Sequence, residues 1–111
     1  MKILNALFIG TAAVALIAAA DARAEWPEKP IQFIIPFGAG GGADIEGRLI
    51  AKAMSGVLGQ PVVPINKPGG GGAITYTFVK NSAPDGYTVA WNSTSVLTTT
   101  NIGNVPFDYT A

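Results

Sequence analysis

Two groups of residues in this sequence have the types and spacing to bind a small polar molecule. The first is the stretch PFGAGGGAD, residues 36–44, in which four of the five positions 38–42 are glycine, and the second is the hydroxyl run Ser93-Thr94-Ser95. Glycine lets a ligand approach main-chain N–H groups, and a helix that begins after such a loop adds a partial positive charge. The pattern favours an anion or polar ligand, and a flexible connector is the alternative.

The other polar residues do not suggest catalysis. The sequence has no Cys and no His, which excludes disulfides, thiol catalysis and the common zinc sites. No candidate nucleophile has a base beside it, and the acidic residues are scattered. The sequence therefore predicts a binding protein with no catalytic residues, no metal and no cofactor.

The N-terminus has the pattern of an export signal. Lys2 precedes an apolar run over residues 3–20, and two small-x-small sites follow, Ala20-Asp21-Ala22 and Ala22-Arg23-Ala24. This predicts a signal peptide over residues 1–24, cleaved after Ala24. Because the apolar run approaches membrane-spanning length, an uncleaved membrane anchor is the alternative.

The charge and length of the mature chain limit its possible partners and its size as a domain. The whole sequence has seven basic and seven acidic residues, of which Lys2, Arg23 and Asp21 leave with the signal peptide. The remaining net charge of −1 offers no basic surface for nucleic acid. The 87 residues that remain after cleavage are enough for one small domain, with no disulfide to support it.

Hydrophobic periodicity predicts the first elements. The apolar residues 31–37 are typical of a buried strand. From Asp44 onward the spacing becomes helical, with Gly59 as the stop and an Asp44–Arg48 pair at i, i+4. The apolar residues of this amphipathic helix are Ile45, Leu49, Ala53 and Val57, with Ile50, Met54 and Leu58 beside them. We expect this apolar face to pack on the core.

The rest of the chain predicts two more strands. Residues 61–66 form a second strand, which Pro64 places at a sheet edge because proline cannot donate to a ladder. Residues 87–92 form a third. Between them, residues 73–82 alternate as a strand does, although Ile74 and Phe78 would also share a helix face. Residues 96–103 are only weakly patterned.

Helical connections would give an α/β fold with parallel β-α-β-α-β order. The loops that leave the strands' carboxyl ends then lie at one edge, the usual ligand position in an open α/β sheet. These loops are residues 38–42, 69–72 and 93–95.

A dinucleotide-binding enzyme is a weaker alternative, because residues 38–43 fit the pattern G-x-G-x-x-A after a strand. Asp44 would place negative charge where the pyrophosphate binds. The acidic residue expected after the second strand is absent, and Asn66 stands near that place.

Taken in order, four stretches resemble one family: WPEKPIQFIIPFGAGGGADIEGRLIAKAM, LGQPVVPINKPGGGGAI, SAPDGYTVAW and VPFD. They are similar to the N-terminal part of the extracytoplasmic solute receptors of tripartite tricarboxylate transporters, the Bug-type periplasmic binding proteins. The resemblance implies a type II binding protein with two lobes, of which residues 25–111 are the N-terminal part of the first. It also implies a periplasmic location, a small carboxylated solute and membrane permease subunits as partners.

The resemblance also implies the site. In this family the loop after the first strand lies against the ligand carboxylate, partly through water, and the loop after the third supplies hydroxyl and amide donors. It makes residues 73–82 a helix, which we adopt because a parallel crossover needs a long connection. Carried over, the ligand-binding residues are Phe37, Gly38, Ala39, Gly40, Gly41, Asp44, Ser93, Thr94 and Ser95.

Departures from the family pattern concern the ligand and the length. Ala73, Thr75, Pro64 and Tyr109 differ from the residues common at their places, which bears on ligand identity. Family members are far longer, so we expect a fragment with one wall of the cleft. The alternative is a small, self-standing exported α/β domain that binds a partner through its glycine-rich edge.

Overall fold

A computed structural model describes residues 25–109 as a three-stranded parallel sheet with helices. The signal peptide and its alternative, a membrane anchor, lie outside the described residues. None of the helices within residues 25–109 has the length and apolar character to cross a membrane. The elements are β1 (Ile31–Ile35), α1 (Gly42–Leu58), β2 (Val62–Asn66), α2 (Ala73–Lys80), β3 (Thr88–Ala90) and α3 (Ser95–Asn101), with a short 3-10 turn (Gly70–Gly72) before α2.

The strand order is β2-β1-β3, and both pairings are parallel, which confirms the predicted β-α-β-α-β order. Ile31 lies opposite Val62 in β2, and Gln32 lies opposite Thr88 in β3. Within the described sheet β2 is an edge strand, as Pro64 predicts. Because the chain moves from β1 to β2 and then back past β1 to β3, right-handed crossovers place α1 and α2 on opposite faces.

Helix α1 packs closely on the face of β1 formed by Ile31, Phe33 and Ile35. Gly47 and Ala51 are the buried helix residues at this contact. A Cβ atom added at Gly47 would lie 2.8 Å from the Ile35 Cδ1 atom. The absence of a side chain at this position therefore lets the helix axis approach the strand.

The prediction for the apolar face of α1 is correct in part, because Met54 and Leu58 pack against the core as partly buried residues. Ile45, Leu49 and Val57 are 57%, 64% and 86% exposed, and Ala53 is exposed as well. The buried positions are Asp44, Gly47 and Ala51. The helix thus buries the small residues Gly47 and Ala51 against β1, and Met54 and Leu58 also pack against this core cluster.

The segment over residues 73–82 is helical from Ala73 to Lys80, which confirms the structure implied by the family and not the one favoured by alternation. Thr75 is fully buried, and its hydroxyl donates to the Lys67 carbonyl at 2.7 Å. Ile74 is 52% exposed. The alternation of apolar and polar residues over 73–82 therefore does not match the pattern of buried and exposed residues.

Helix α3 occupies a segment that the sequence left weakly patterned. Thr99 and Thr100 direct their hydroxyls to the Val96 carbonyl, at 3.0 and 2.9 Å. Val96 belongs to a second core cluster with Ala73, Tyr76 and Val105. Packing against α2, and not local helix propensity, therefore stabilises this short helix.

Candidate ligand-binding site

Two of the three predicted loops lie side by side at the carboxyl edge of the sheet. We name residues 36–41, after β1, the glycine loop and residues 91–94, after β3, the hydroxyl loop. The rings of Phe37 and Trp91 meet edge-on, with centroids 6.1 Å apart and an interplanar angle of 80°. The Trp91 N–H donates to the Ile34 carbonyl at 2.9 Å, which keeps the two chains paired up to the point where the loops begin.

Asp44 holds the glycine loop from the first turn of α1. It is 6% exposed, and its Oδ2 atom accepts the Gly40 N–H at 2.9 Å. Its Oδ1 atom accepts from Arg48 Nε at 2.9 Å and from Asn66 Nδ2 at 2.8 Å. The Arg48 hydrogen bond, followed by those from Gly40 and Asn66, lowers the pKa of Asp44 to about 2. The carboxylate is therefore ionised at neutral pH and has three protein donors.

Asn66 joins β2 to the same group. Its Nδ2 atom also donates to the Phe37 carbonyl at 3.0 Å, and its Oδ1 atom accepts from Arg48 Nη2 at 2.9 Å. The sequence predicted the Asp44–Arg48 pair, which the structure confirms, but gave Asn66 no role in the site. The available signal was an amide at the end of β2, on the edge where the loops meet.

The N-terminus of α1 differs in detail from a simple cap. The N-cap residue is Gly41, which has no side chain to cap with. Asp44 stands three positions later and reaches back to the Gly40 N–H, much as the acidic residue of a capping box does. Asp44 therefore stabilises the loop and the helix start together.

The glycines of the glycine loop, together with Gly42 at the start of α1, leave bare backbone at the surface. A Cβ atom at Gly38 or Gly42 would meet no heavy atom within 4 Å, and one at Gly41 would make an ordinary contact of 3.7 Å with the Gly38 carbonyl. Gly40, with φ of 85°, is the member of this group with a left-handed backbone. Packing within the described residues does not require glycine at Gly38 or Gly42, which favours the approach of another molecule.

In the second glycine cluster, residues 69–72, glycine is required for a different reason. All four of its glycines have positive φ, and a Cβ atom at Gly72 would lie 2.6 Å from the Tyr76 ring. The turn into α2 therefore requires these glycines whether or not a ligand binds there.

The predicted hydroxyl run divides into two parts. Ser95 is the first residue of α3, and its Oγ atom lies 2.6 Å from the Tyr76 hydroxyl and 3.0 Å from Ser93 Oγ. Thr94 is exposed between them. Tyr76 had no place in the predicted site, because no spacing in the sequence relates it to Ser95, 19 positions away.

The predicted site residues do not line either of two clefts in residues 25–109. One cleft, of ≈ 210 Å³, lies between α2, β3 and α3 and includes Tyr76, Lys80 and Phe107. The other, of ≈ 390 Å³, lies beside α2 at Ile74 and Phe78. The glycine loop is instead an open surface, suited to be one wall of a site. Within residues 25–109 no three His, Cys, Asp or Glu side chains gather as metal ligands would.

The sequence profile described as "Tripartite tricarboxylate transporter family receptor" matches residues 47–111. The chain belongs to this family. Its members are solute-binding receptors and not enzymes, and the dinucleotide-binding alternative is not favoured.

Relatives and solved structures agree with this assignment. The chain is 39% identical over 100 residues to the protein BugT of Bordetella pertussis, covering 90% of this chain and 30% of BugT. A TctC solute binding protein from Polaromonas, solved without ligand, is 41% identical with a TM-score of 0.70, covering 75% of this chain and 29% of that one. An R. palustris protein solved with adipate is 33% identical with a TM-score of 0.63, covering 65% and 24%. The chain thus spans less than a third of the length of each of these family receptors.

Proposed function

We propose that residues 25–109 supply one wall of the binding site of a two-lobed periplasmic receptor for a small carboxylated solute. The observation that carries this proposal is the exposed glycine loop, which the Asp44 hydrogen bonds hold in front of the α1 N-terminus. Delivery of the solute to membrane permease subunits, and the presence of a second lobe in the whole receptor, are inferred from the family.

The physical case rests on main-chain donors. The first N–H groups of a helix have no acceptor within the helix, and the helix dipole adds positive potential where they point. Helix α1 has 17 residues, and the residues before it carry no side chain that would cover Gly38, Gly41 or Gly42. A carboxylate has the charge and the acceptor geometry for such a position, and the negative charge of Asp44 beside it is already paired with Arg48. Adipate, present in one solved relative, is a carboxylate of this kind.

The hydroxyl loop supplies the neighbouring donors of the proposed site. The exposed Thr94 can donate without breaking an internal hydrogen bond. The Ser95 hydroxyl is already bonded to both Ser93 and Tyr76, so the proposed role of the two serines is to present the backbone at the start of α3. This loop also lies beside the glycine loop through the Phe37–Trp91 contact.

The experiment that tests this proposal is a titration of the ¹⁵N-labelled full chain with succinate, followed by NMR at constant ionic strength. We expect saturable shifts of the Gly38, Gly41 and Gly42 amides. Gly38→Leu should abolish these shifts without unfolding the chain, because Gly38 has open space around it and no left-handed φ.

Two controls accompany the titration. Gly56→Ala changes a glycine that also has open space, but toward the far end of α1, and it should leave the succinate response intact. Succinamide, which lacks the charge, should produce much smaller shifts. Absence of a saturable response in the glycine loop, or an equal response in Gly38→Leu, would refute the proposed wall.

A further inference from the structure

We propose that Asn66 and Arg48, together with Asp44, are positioning residues that fix the direction of two peptide groups in the glycine loop. Through them the loop presents the Gly38 N–H as an outward donor and the Ala39 carbonyl as an outward acceptor. This inference rests on the proposed function, since it concerns how the same loop receives its solute.

The first fixed peptide joins Phe37 to Gly38. Asn66 Nδ2 donates to the Phe37 carbonyl at 3.0 Å. Within the described residues the cis peptide is at Trp26–Pro27, so this peptide is trans and its N–H points opposite to its carbonyl. The Gly38 N–H is therefore directed away from Asn66, on a residue that is exposed.

The second fixed peptide joins Ala39 to Gly40 and has the reverse orientation. Here the N–H is the anchored group, because Gly40 N donates to Asp44 Oδ2 at 2.9 Å. The same trans geometry directs the Ala39 carbonyl away from Asp44. Ala39 is exposed, so the two peptides together offer a solute one donor and one acceptor.

Arg48 determines which way the Asn66 amide faces. Asn66 Nδ2 meets two acceptors, the Phe37 carbonyl and Asp44 Oδ1, while Asn66 Oδ1 meets the donor Arg48 Nη2 at 2.9 Å. A rotated amide would place oxygen against two oxygens and nitrogen against a donor. All three contacts therefore favour the same orientation of the Asn66 amide. Asn66→Asp would remove the N–H donor that the Phe37 carbonyl and Asp44 Oδ1 both accept from.

The position of Asn66 follows from strand register. Asn66 pairs with Ile35, the last residue of β1, so it stands beside the first residues of the glycine loop. Register thus brings a β2 side chain to a carbonyl 29 positions earlier in the sequence. We name Asp44, Arg48 and Asn66 the lock. It connects β2, α1 and the glycine loop, and each of its three side chains is hydrogen-bonded to the other two side chains.

The lock is tested first without a ligand. In the ¹⁵N-labelled full chain, the Gly40 amide shift should follow protonation of the Asp44 carboxylate with a midpoint near pH 2. In Asn66→Asp and in Arg48→Lys, the midpoint or the size of the Gly40 shift change should differ from that of the wild type. Asn101→Asp makes the same substitution at an exposed position of α3 and should leave the Gly40 response as in the wild type.

The second test is the succinate titration of the same proteins. We expect the wild-type Gly38 amide to respond and the Gly40 amide, which is already bonded, to respond less. Asn66→Asp should weaken succinate binding at least fivefold, and Arg48→Lys should weaken it less, because lysine keeps the charge and loses the planar fork. If Asn66→Asp does not fold, Arg48→Lys decides the test.

The outcomes separate this inference from the function on which it rests. Wild-type succinate affinity in folded Asn66→Asp and Arg48→Lys would overturn the positioning role. A wild-type chain in which Gly40 follows Asp44 while no loop amide responds to succinate would instead refute the proposed function and support the lock. A Gly40 amide that does not respond to protonation of Asp44 would show that the lock is absent.

Discussion

At the scale of single residues, a buried charge is the feature that most constrains the glycine loop. Asp44 occupies the first turn of α1, where the positive end of the helix dipole stabilises a negative charge. Its three donors satisfy it inside the chain, so it does not need a solute for its own stability. We therefore interpret Asp44 as the anchor of the loop, although direct contact with the solute stays a prediction.

This anchor should give the chain a particular pH dependence. The pKa of Asp44 falls from 3.8 to about 2 on folding, with the Arg48 hydrogen bond as the largest cause. Because the folded pKa is depressed, the contribution of Asp44 to stability is complete above about pH 4 and is lost as the pH falls toward 2. Urea unfolding between pH 2 and pH 6 measures it.

The matched variants for that measurement are Asp44→Asn and Glu46→Gln. Asp44→Asn should flatten the loss of stability between pH 4 and pH 2. Glu46→Gln removes an exposed carboxylate from the same helix turn and should preserve the wild-type slope. Identical pH profiles for the wild type and Asp44→Asn would contradict the anchoring role.

At the scale of elements, the sequence predicted the order and parallel arrangement of the strands but misjudged what holds α1 to the sheet. Periodicity detects large apolar residues, and α1 has them at Ile45, Leu49 and Val57. Met54 and Leu58 do pack against the core, but the contact with β1 also depends on Gly47, whose lack of a side chain leaves room for Ile35. A hydrophobic pattern does not record close approach, so it predicts burial for Ile45, Leu49 and Val57, which are exposed.

The candidate site, like the fold, was predictable from the sequence only in part. The glycine loop, Asp44 and the hydroxyl run were evident because each is a short local pattern. The contacts of Asn66 with Phe37 and of Ser95 with Tyr76 span 29 and 19 positions. They depend on strand register and on the packing of α3 against α2, neither of which a local pattern specifies.

The role of Gly47 leads to a prediction that separates packing from helix propensity. Gly47→Ala should gain up to about 1 kcal/mol of propensity but lose about 1–3 kcal/mol by crowding, because the new Cβ atom faces the fully buried Ile35 at 2.8 Å. Gly56→Ala makes the same change where no atom lies within 4 Å. Urea unfolding should show Gly47→Ala below, and Gly56→Ala above, the wild-type free energy of unfolding. The reverse order would mean that α1 does not depend on this approach.

At the scale of the whole molecule, the described chain exposes apolar surface on both sides of its sheet. Ile45, Leu49 and Val57 are exposed on α1, and on the other face Ile74 and Phe78 of α2 are 52% and 37% exposed. Large apolar surfaces of this kind mark places where other protein packs. The matched segment spans 24% and 29% of two solved relatives, and the packing of further protein on these exposed residues stays a prediction.

Export is the prediction that concerns the N-terminal residues. We expect cleavage after Ala24, because Ala22-Arg23-Ala24 follows an apolar run with Lys2 before it. N-terminal sequencing of the chain recovered from the periplasmic fraction of a bacterial host should begin at Glu25. Ala24→Arg should block this cleavage, whereas Glu25→Gln, just beyond the site, should permit it. A chain that retains Met1 in the membrane fraction would instead support the anchor.

The affinity of the chain for its solute follows from how much of a ligand one wall can enclose. Good sites bury most of a small ligand's surface, whereas the glycine loop is open, with Gly38, Ala39 and Gly40 all exposed. Water competes for each donor there, so a net hydrogen bond is worth only about 0.5–1.5 kcal/mol. Three such bonds, set against the entropy lost on capture, correspond to affinity of roughly millimolar at best.

We therefore expect the NMR titration of the full chain with succinate to give a dissociation constant in the millimolar range. A family receptor that contains both lobes should bind its own solute far more tightly, because a second wall excludes water from the same donors. The decisive comparison is the salt dependence of the two constants, since an open carboxylate contact is screened more strongly than an enclosed one. Micromolar binding by the 111-residue chain would show that it encloses the solute without a second lobe, and that the glycine loop is part of a complete site.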